Sequence, residues 1–287
     1  MILYRLSVLR SGLRGVPILA VLTLGLVLIL GVFGPWLTPH DATAGDLSRS
    51  LMPPVWSDGG SWSFPLGTDQ QGRDILSRLI MGSRVSLLVG VTAVGIAGSL
   101  GLVLALLGGY YGGIIDAVIG RLVDAMLALP FLLIALVSAT VLSPGISSVI
   151  LILGLTGWAG YARVLRGEVL RIKSLDYIAL SRVGGCSTVR ILWRYVTPNL
   201  LNTLVVLASL QLGVTILAEA TLSFLGIGVQ PPQAAWGLML AEGRQYTTFA
   251  WWLVVFPGVA IMLTVLSVNM LGDWLRGRLD PQLRQVR

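Results

Sequence analysis

Six stretches of this 287-residue chain, at residues 16–36, 85–107, 114–142, 148–164, 200–226 and 249–271, are each close to bilayer length and apolar enough to enter lipid. Crossing a hydrocarbon core of ~30 Å takes ~20 residues at the ~1.5 Å rise of an α-helix. A backbone in lipid must satisfy its own polar groups, so each stretch is expected to be helical. The polar–apolar alternation of a membrane barrel is missing. Only 11% of the residues are charged, against about a quarter in soluble domains, and 55% are hydrophobic. The expectation is therefore a single all-α integral membrane domain of about six transmembrane helices. The opening MILYRLSVLRSGLRGV has the basic start of a signal peptide, but the run after it is long enough to be kept as a span.

The basic residues give the orientation. With the N-terminus inside, the inner segments collect Arg5, Arg10, Arg14, Arg121, Arg163, Arg166, Arg171, Lys173, Arg182, Arg190, Arg194, Arg276, Arg278, Arg284 and Arg287. Only Arg49, Arg73, Arg78, Arg84 and Arg244 fall outside. The positive-inside rule then puts both termini in the cytoplasm. Trp36, Trp62, Trp236, Trp251 and Trp252 are expected at the outer interface and Trp274 at the inner one. The net charge of +7 is spread between apolar stretches, with no basic face or aromatic platform for nucleic acid. With Cys186 and His40 the only cysteine and histidine, no disulfide within the chain, Cys/His zinc site or Cys–His pair can form. His40 is read as an exposed loop residue and Cys186 as a small packing residue.

This order gives an N-terminal cytoplasmic tail at 1–15, the first span at 16–36, an external segment at 37–84, a five-span core at 85–273 and a C-terminal cytoplasmic tail at 274–287. Within the external segment, DILSRLIMGSRVSLL spaces Ile75, Leu79 and Ile80 helically with Arg73, Arg78 and Arg84 elsewhere, so a short interfacial helix is expected to lead into the second span.

The loop at 165–197 within the core is too polar for lipid and too periodic for a slack linker. Ile172, Leu175, Ala179 and Val183 recur at three and four residues, while Arg171, Lys173, Asp176 and Arg182 lie off that face. Ser174 is the expected N-cap, Gly184 and Gly185 break the helix, and a second short helix runs from Ser187 to about Val196. Pro198 is expected to start the next span, where its missing N–H costs least. Periodicity alone leaves two readings: a basic amphipathic loop lying on anionic lipid, or a rigid unit that fits a groove on a partner.

At this point the chain resembles a known family. Permease subunits of binding-protein-dependent ABC importers carry an inner loop with Glu-Ala-Ala, then a glycine four residues on and a proline thirteen beyond it. Aligned on Gly185 and Pro198, Ala179, Leu180 and Ser181 take the Glu-Ala-Ala positions, without the acid and with both alanines replaced. PLGTDQQGRDILSRLIMGSRVSL, RLVDAMLALP, EATLSFLGIGVQPPQAAWGLMLAEGR and WWLVVFPGVAIMLTVLSVNMLGDWLRGRLDP, in this order, resemble the C-type subunit of dipeptide/oligopeptide permeases. The resemblance implies the type I ABC importer permease fold in the bacterial cytoplasmic membrane. It also implies a homologous B-type permease partner, two cytoplasmic ATPase subunits and an external peptide-binding protein. It makes Ser174, Asp176, Ala179, Leu180, Ser181, Arg182, Gly184, Gly185, Arg190 and Pro198 the expected ATPase-coupling residues.

Other polar residues in apolar runs carry competing readings. Glu219 is either a helix-pairing or interfacial carboxylate facing Arg84 or Arg244, or a contact to substrate or the external gate. Gln211, with Asn202 and Asn269, suits hydrogen bonding between helices, and Gln211 is also a pathway candidate. Asp124 is expected to pair with Arg121 three residues before it, and Pro130 to bend the third span. Gly101, Gly108, Gly109, Gly112 and Gly113 suit close packing or turns. Lys173, the only lysine, lies in GEVLRIKS, with Ile172 where a phosphate-binding loop needs its second glycine. ATP and Mg are therefore expected on partner chains, with no catalytic residue, metal or cofactor on this one. A secondary transporter would call for paired mid-bilayer acids, and an intramembrane enzyme for a nucleophile facing a base. Within the ABC reading the cargo could also be nickel chelates, glutathione or haem.

Overall fold

The computed structural model describes residues 16–279; the expected tail at 1–15 and the part of the expected 274–287 tail beyond residue 279, with Arg5, Arg10, Arg14, Arg284 and Arg287, lie outside the described residues, while 274–279 continue the last helix. The helices are α1 (Ile18–Leu37), α2 (Ile75–Tyr111), α3 (Gly113–Ala128), α4 (Phe131–Val141), α5 (Ile146–Lys173), α6 (Asp176–Val183), α7 (Thr188–Ile191), α8 (Thr197–Phe224), α9 (Trp236–Gly243) and α10 (Trp252–Leu279). Among the described residues, five stretches are long and apolar enough to cross a membrane: Ile18–Leu37, Ile75–Tyr111, Ile146–Lys173, Thr188–Phe224 and Trp252–Arg278. α3 and α4, bent by 92° at the break between them, are a sixth when the pair is counted as one broken span.

Local chemistry explains where the helices start and stop. Asp74 caps α2, its carboxylate accepting from the backbone N–H groups of Leu76 and Ser77. At the far end Gly112 and Gly113 both take positive φ, +71° and +57°, a pair of conformations that costs glycine little and turns the chain at once into α3. The expected bend at Pro130 is a full break. Leu129 is extended, as a residue before proline must be, and the Pro130 carbonyl accepts from Leu133 and Ile134 to start α4.

Three expectations about the helices are corrected. The helical stretch before the second span is not a separate interfacial element. α2 runs unbroken through it, and Ile75, Ile80 and Arg78 are buried because loops and α9 cover that end. Pro198 falls in the first turn of α8 as expected, but the short helix before it is not separate: a π turn over Leu192–Val196 joins α7 to α8. Trp236 and Trp252 are not exposed anchoring rings: both are buried within the protein, and their indole N–H groups donate to the Leu79 and Thr68 carbonyls.

α2 packs most extensively on α5, where small residues bring the backbones together. A Cβ on Gly109 would lie 2.8 Å from Val169, and one on Gly101 would overlap Tyr161. α8 and α10 complete the bundle, and α1 leans on α2 and α10 from outside. α1 buries Ala20, Val27, Gly31 and Gly34 and leaves its leucines exposed, as a peripheral helix in lipid does. One end, here the basic end, carries residues 163–198. The opposite, capped end carries the ordered segments 38–74 and 225–251.

Candidate functional site

At the basic end the expected helix, glycine bend and second helix are present as α6, the turn at Gly184 and Gly185, and α7, but Ile172 belongs to the end of α5 and not to the helix that carries Ala179 and Val183. Ser174 is not an N-cap: it ends α5, its hydroxyl donating to the Arg171 carbonyl, and Leu175 precedes α6 instead. A serine hydroxyl satisfies a free carbonyl at a helix end as readily as a free N–H at a start, and here the carbonyl is nearer. The break rotates the faces, so the inward residues are Ile172 and Ile178, while Val183 is 88% exposed. Ile178, Ile191 and Val196 join Leu165, Val169, Ile172 and Leu200 in one core, with Cys186 packed against it as expected.

α6 ends in a Schellman turn. The Cys186 N–H donates to the Ser181 carbonyl and the Gly185 N–H to Arg182, both at 3.0 Å, with Gly185 at φ +77°. Nothing lies within 4 Å of a Cβ built on Gly185, so its backbone angle, not crowding, calls for glycine. On the two sides of the bend Leu180 and Val183, and then Val189 and Trp193, are exposed, forming an apolar ridge on a rigid base. Among the other expected coupling residues, Asp176 opens α6, Ala179 is exposed and Ser181 half-buried on it, and Arg190 lies in the last turn of α7. Lys173 donates to the Tyr110 carbonyl, and both Lys173 and Arg182 lie over the Tyr110 ring, at 5.6 and 5.2 Å from its centroid. The ridge is thereby fastened to the basic-end tip of α2.

A cavity of about 360 Å³ opens halfway along the bundle at the α3–α4 break. Ala93, Ala97, Leu129, Phe131, Gly157 and Val214 give it an apolar wall; Thr156, Gln211 and Thr215 supply the polar groups. Gln211 is thus placed on the cavity. Asn269 packs its side-chain oxygen against Gly213, one helix to another.

Two expected pairings are replaced. Glu219 faces neither Arg84 nor Arg244. It is fully buried, accepting from Ser86 of α2 at 3.1 Å and Ser223 at 2.8 Å, because its helix turns that side toward α2. Asp124 pairs with Arg163 of α5 at 2.6 Å rather than with Arg121, since the packing of α3 on α5 brings Arg163 alongside. Asp116 repeats the pattern with Arg166, at 2.6 Å from Nη2, so two ion pairs tie α3 to α5. His40 is more engaged than expected: its backbone N–H donates to Ser77, its Nδ1 lies 3.4 Å from Asp74, and its ring stacks on Phe64.

Sequence reasoning missed a cluster of buried charges. Arg73 and Arg78, each 1% exposed, bridge Asp69 and Glu242 at the capped end. Arg73 Nε meets Asp69 at 2.6 Å and its Nη2 meets both Glu242 oxygens at 3.0 and 3.1 Å. Arg78 also donates to Asp69, and to Glu242 at 2.7 Å. The Asp69–Arg73 spacing of four was a usable hint; Glu242, 169 residues on from Arg73, left none.

Comparison with known proteins gives this geometry a family. The model described as "Binding-protein-dependent transport system inner membrane component" matches residues 99–285. The Di/tripeptide transport system permease protein DppC of Pseudomonas aeruginosa (strain UCBPP-PA14) is 42% identical over 261 residues, 91% of this chain and 86% of that one. The Dipeptide transport system permease protein DppC of Escherichia coli (strain K12) is 43% identical over 260 residues, 91% and 87% of the two chains. A solved inward-facing MetNI methionine ABC transporter shares the fold, with a TM-score of 0.58 at 18% identity over 72% of this chain and 98% of that one. The chain therefore belongs to the binding-protein-dependent transport system inner membrane components: it is a multi-pass inner-membrane permease subunit with the helical fold of an ABC importer.

Proposed function

We propose that this subunit imports dipeptides and related short peptides, pairing with a homologous B-type permease, two cytoplasmic ATPase subunits and an external peptide-binding protein. In this reading both termini are cytoplasmic, 165–197 is the coupling segment, and ATP and Mg bind to the partner ATPases and not to this chain. One observation carries it: the exposed ridge of Leu180, Val183, Val189 and Trp193 stands on a base that is buried against α5 and clamped to α2. A loop resting on lipid would need no such anchoring. An exposed apolar patch on a rigid base is what a partner's groove takes up.

ATPase closure on ATP pushes the segment from Ser174 to Tyr195, and α2, α5 and α8 follow as packed bodies. The cavity beside Gln211 lies between these helices. At about 360 Å³ it falls within the ~300–1,000 Å³ of small-ligand sites, and it serves as a waypoint once the path opens. Differential affinity of the ATPases for the two states supplies the driving energy. Relatives named as dipeptide and di/tripeptide permeases support peptide cargo over nickel chelates, glutathione or haem.

Uptake of labelled dipeptide into proteoliposomes, with and without the ATPase subunits, tests the reading. Uptake is expected only with ATPases, ATP and binding protein together, and excess unlabelled dipeptide, not glutathione, should compete. Uptake driven by an ion gradient alone would contradict it.

A further inference from the structure

The buried charges at the capped end have no part in the coupling just described, yet their place on α2 gives them leverage. α2 is unbroken over 37 residues, about 55 Å at ~1.5 Å per residue. At the basic end its Tyr110 is held by Lys173, which ends α5, and Arg182, in the last turn of α6. Midway, its Ala93 and Ala97 line the cavity. In its first turns Arg78 reaches Glu242, and the Leu79 carbonyl accepts from Trp236. Glu242 and Trp236 both belong to α9, so α9 and the outer tip of α2 are bound as one body.

The quartet is balanced in charge, two guanidiniums against two carboxylates, but its hydrogen bonds are not all made. Arg73 Nη1 and Arg78 Nε are buried without an acceptor. Glu242, at 14% the most exposed member, is the one that brings α9 into the group. The turns flanking α9, at 231–233 and 244–245, are exposed where a partner outside can press on them.

We propose that Asp69, Arg73, Arg78 and Glu242 form the outer joint of a lever whose shaft is α2, passing engagement of the external binding protein at α9 to the coupling segment. The four are positioning residues: they touch no cargo and act by holding α9 to α2. The inference rests on the coupling reading above.

The test uses the complete importer in proteoliposomes, comparing ATP hydrolysis with and without peptide-loaded binding protein. Glu242→Gln keeps the shape and removes the charge; Arg73→Lys keeps the charge and removes the two-pronged geometry. Each is expected to lower the stimulated-to-basal ratio at least about fivefold with basal hydrolysis unchanged, while Glu242→Asp retains most of it. Wild-type ratios in both variants would overturn the joint. Should Glu242→Gln assemble poorly, Arg73→Lys alone decides. A Val183→Cys adduct with the ATPase, formed in the same vesicles in a Cys186→Ser background, keeps the two ideas apart. With the adduct present and the ratios normal, only the joint falls; with no adduct in the otherwise wild-type protein, the coupling reading falls too.

Discussion

The two ends of the bundle are built on opposite principles. At the capped end, charge is buried and glycines lie under neighbouring atoms: a Cβ on Gly237 would overlap the Ala220 backbone, and one on Gly82 would strike Trp236. At the basic end, apolar side chains are exposed and Gly185 has open space around it. The first arrangement resists relative movement of α2, α9 and α10; the second presents a surface. One subunit can thus hold its capped end rigid while offering a handle at the basic end, because two different kinds of side-chain burial are kept apart by the length of α2.

The contrast can be broken most severely at the ion quartet. Arg78→Met leaves Asp69 and Glu242 short of a partner, and removing one member of a buried ionic set costs about 3–5 kcal/mol. Thermal unfolding of the detergent-solubilised complex should show a large loss of stability, and an unchanged midpoint would mean the quartet holds nothing. Gly237→Val tests packing at the same end without touching charge. Overpacking there is expected to cost about 1–3 kcal/mol, read as a lower midpoint with less assembled complex.

At the basic end the effects should move from stability to coupling. Gly185→Val forces a β-branched residue into a left-handed conformation at a cost of about 1–2 kcal/mol, without a clash. Membrane insertion should survive while uptake per ATP hydrolysed falls sharply; normal coupled uptake would remove the bend from the mechanism. Trp193→Ala sharpens the comparison furthest. As an exposed site it should change stability by no more than about 0.5 kcal/mol, yet co-purification of the ATPases should weaken measurably.

How legible each end was in the sequence follows from the range of the interactions that shape it. Hydropathy marks the spans because lipid imposes one rule along the whole chain. The break at Pro130 and the bend at Gly185 are written in single residues whose backbone preferences act locally. Ser174 misled because its hydroxyl can close one helix or open another, and only the distance to the Arg171 carbonyl decides. The partners of Asp124 and Glu219 depended on which helix packs alongside, information that no spacing within one helix contains. The quartet was least visible: Glu242 approaches Arg73 and Arg78 only once α9 folds back over the outer tip of α2.

The most direct measurement is cross-linking from the ridge itself. With Val183→Cys in a Cys186→Ser background, a short thiol cross-linker applied to the assembled importer should join this subunit to an ATPase chain, with a yield that changes when ATP is bound. Labelling of that cysteine by a membrane-impermeant reagent from the outer face of intact cells, or no adduct with any ATPase, would contradict the account.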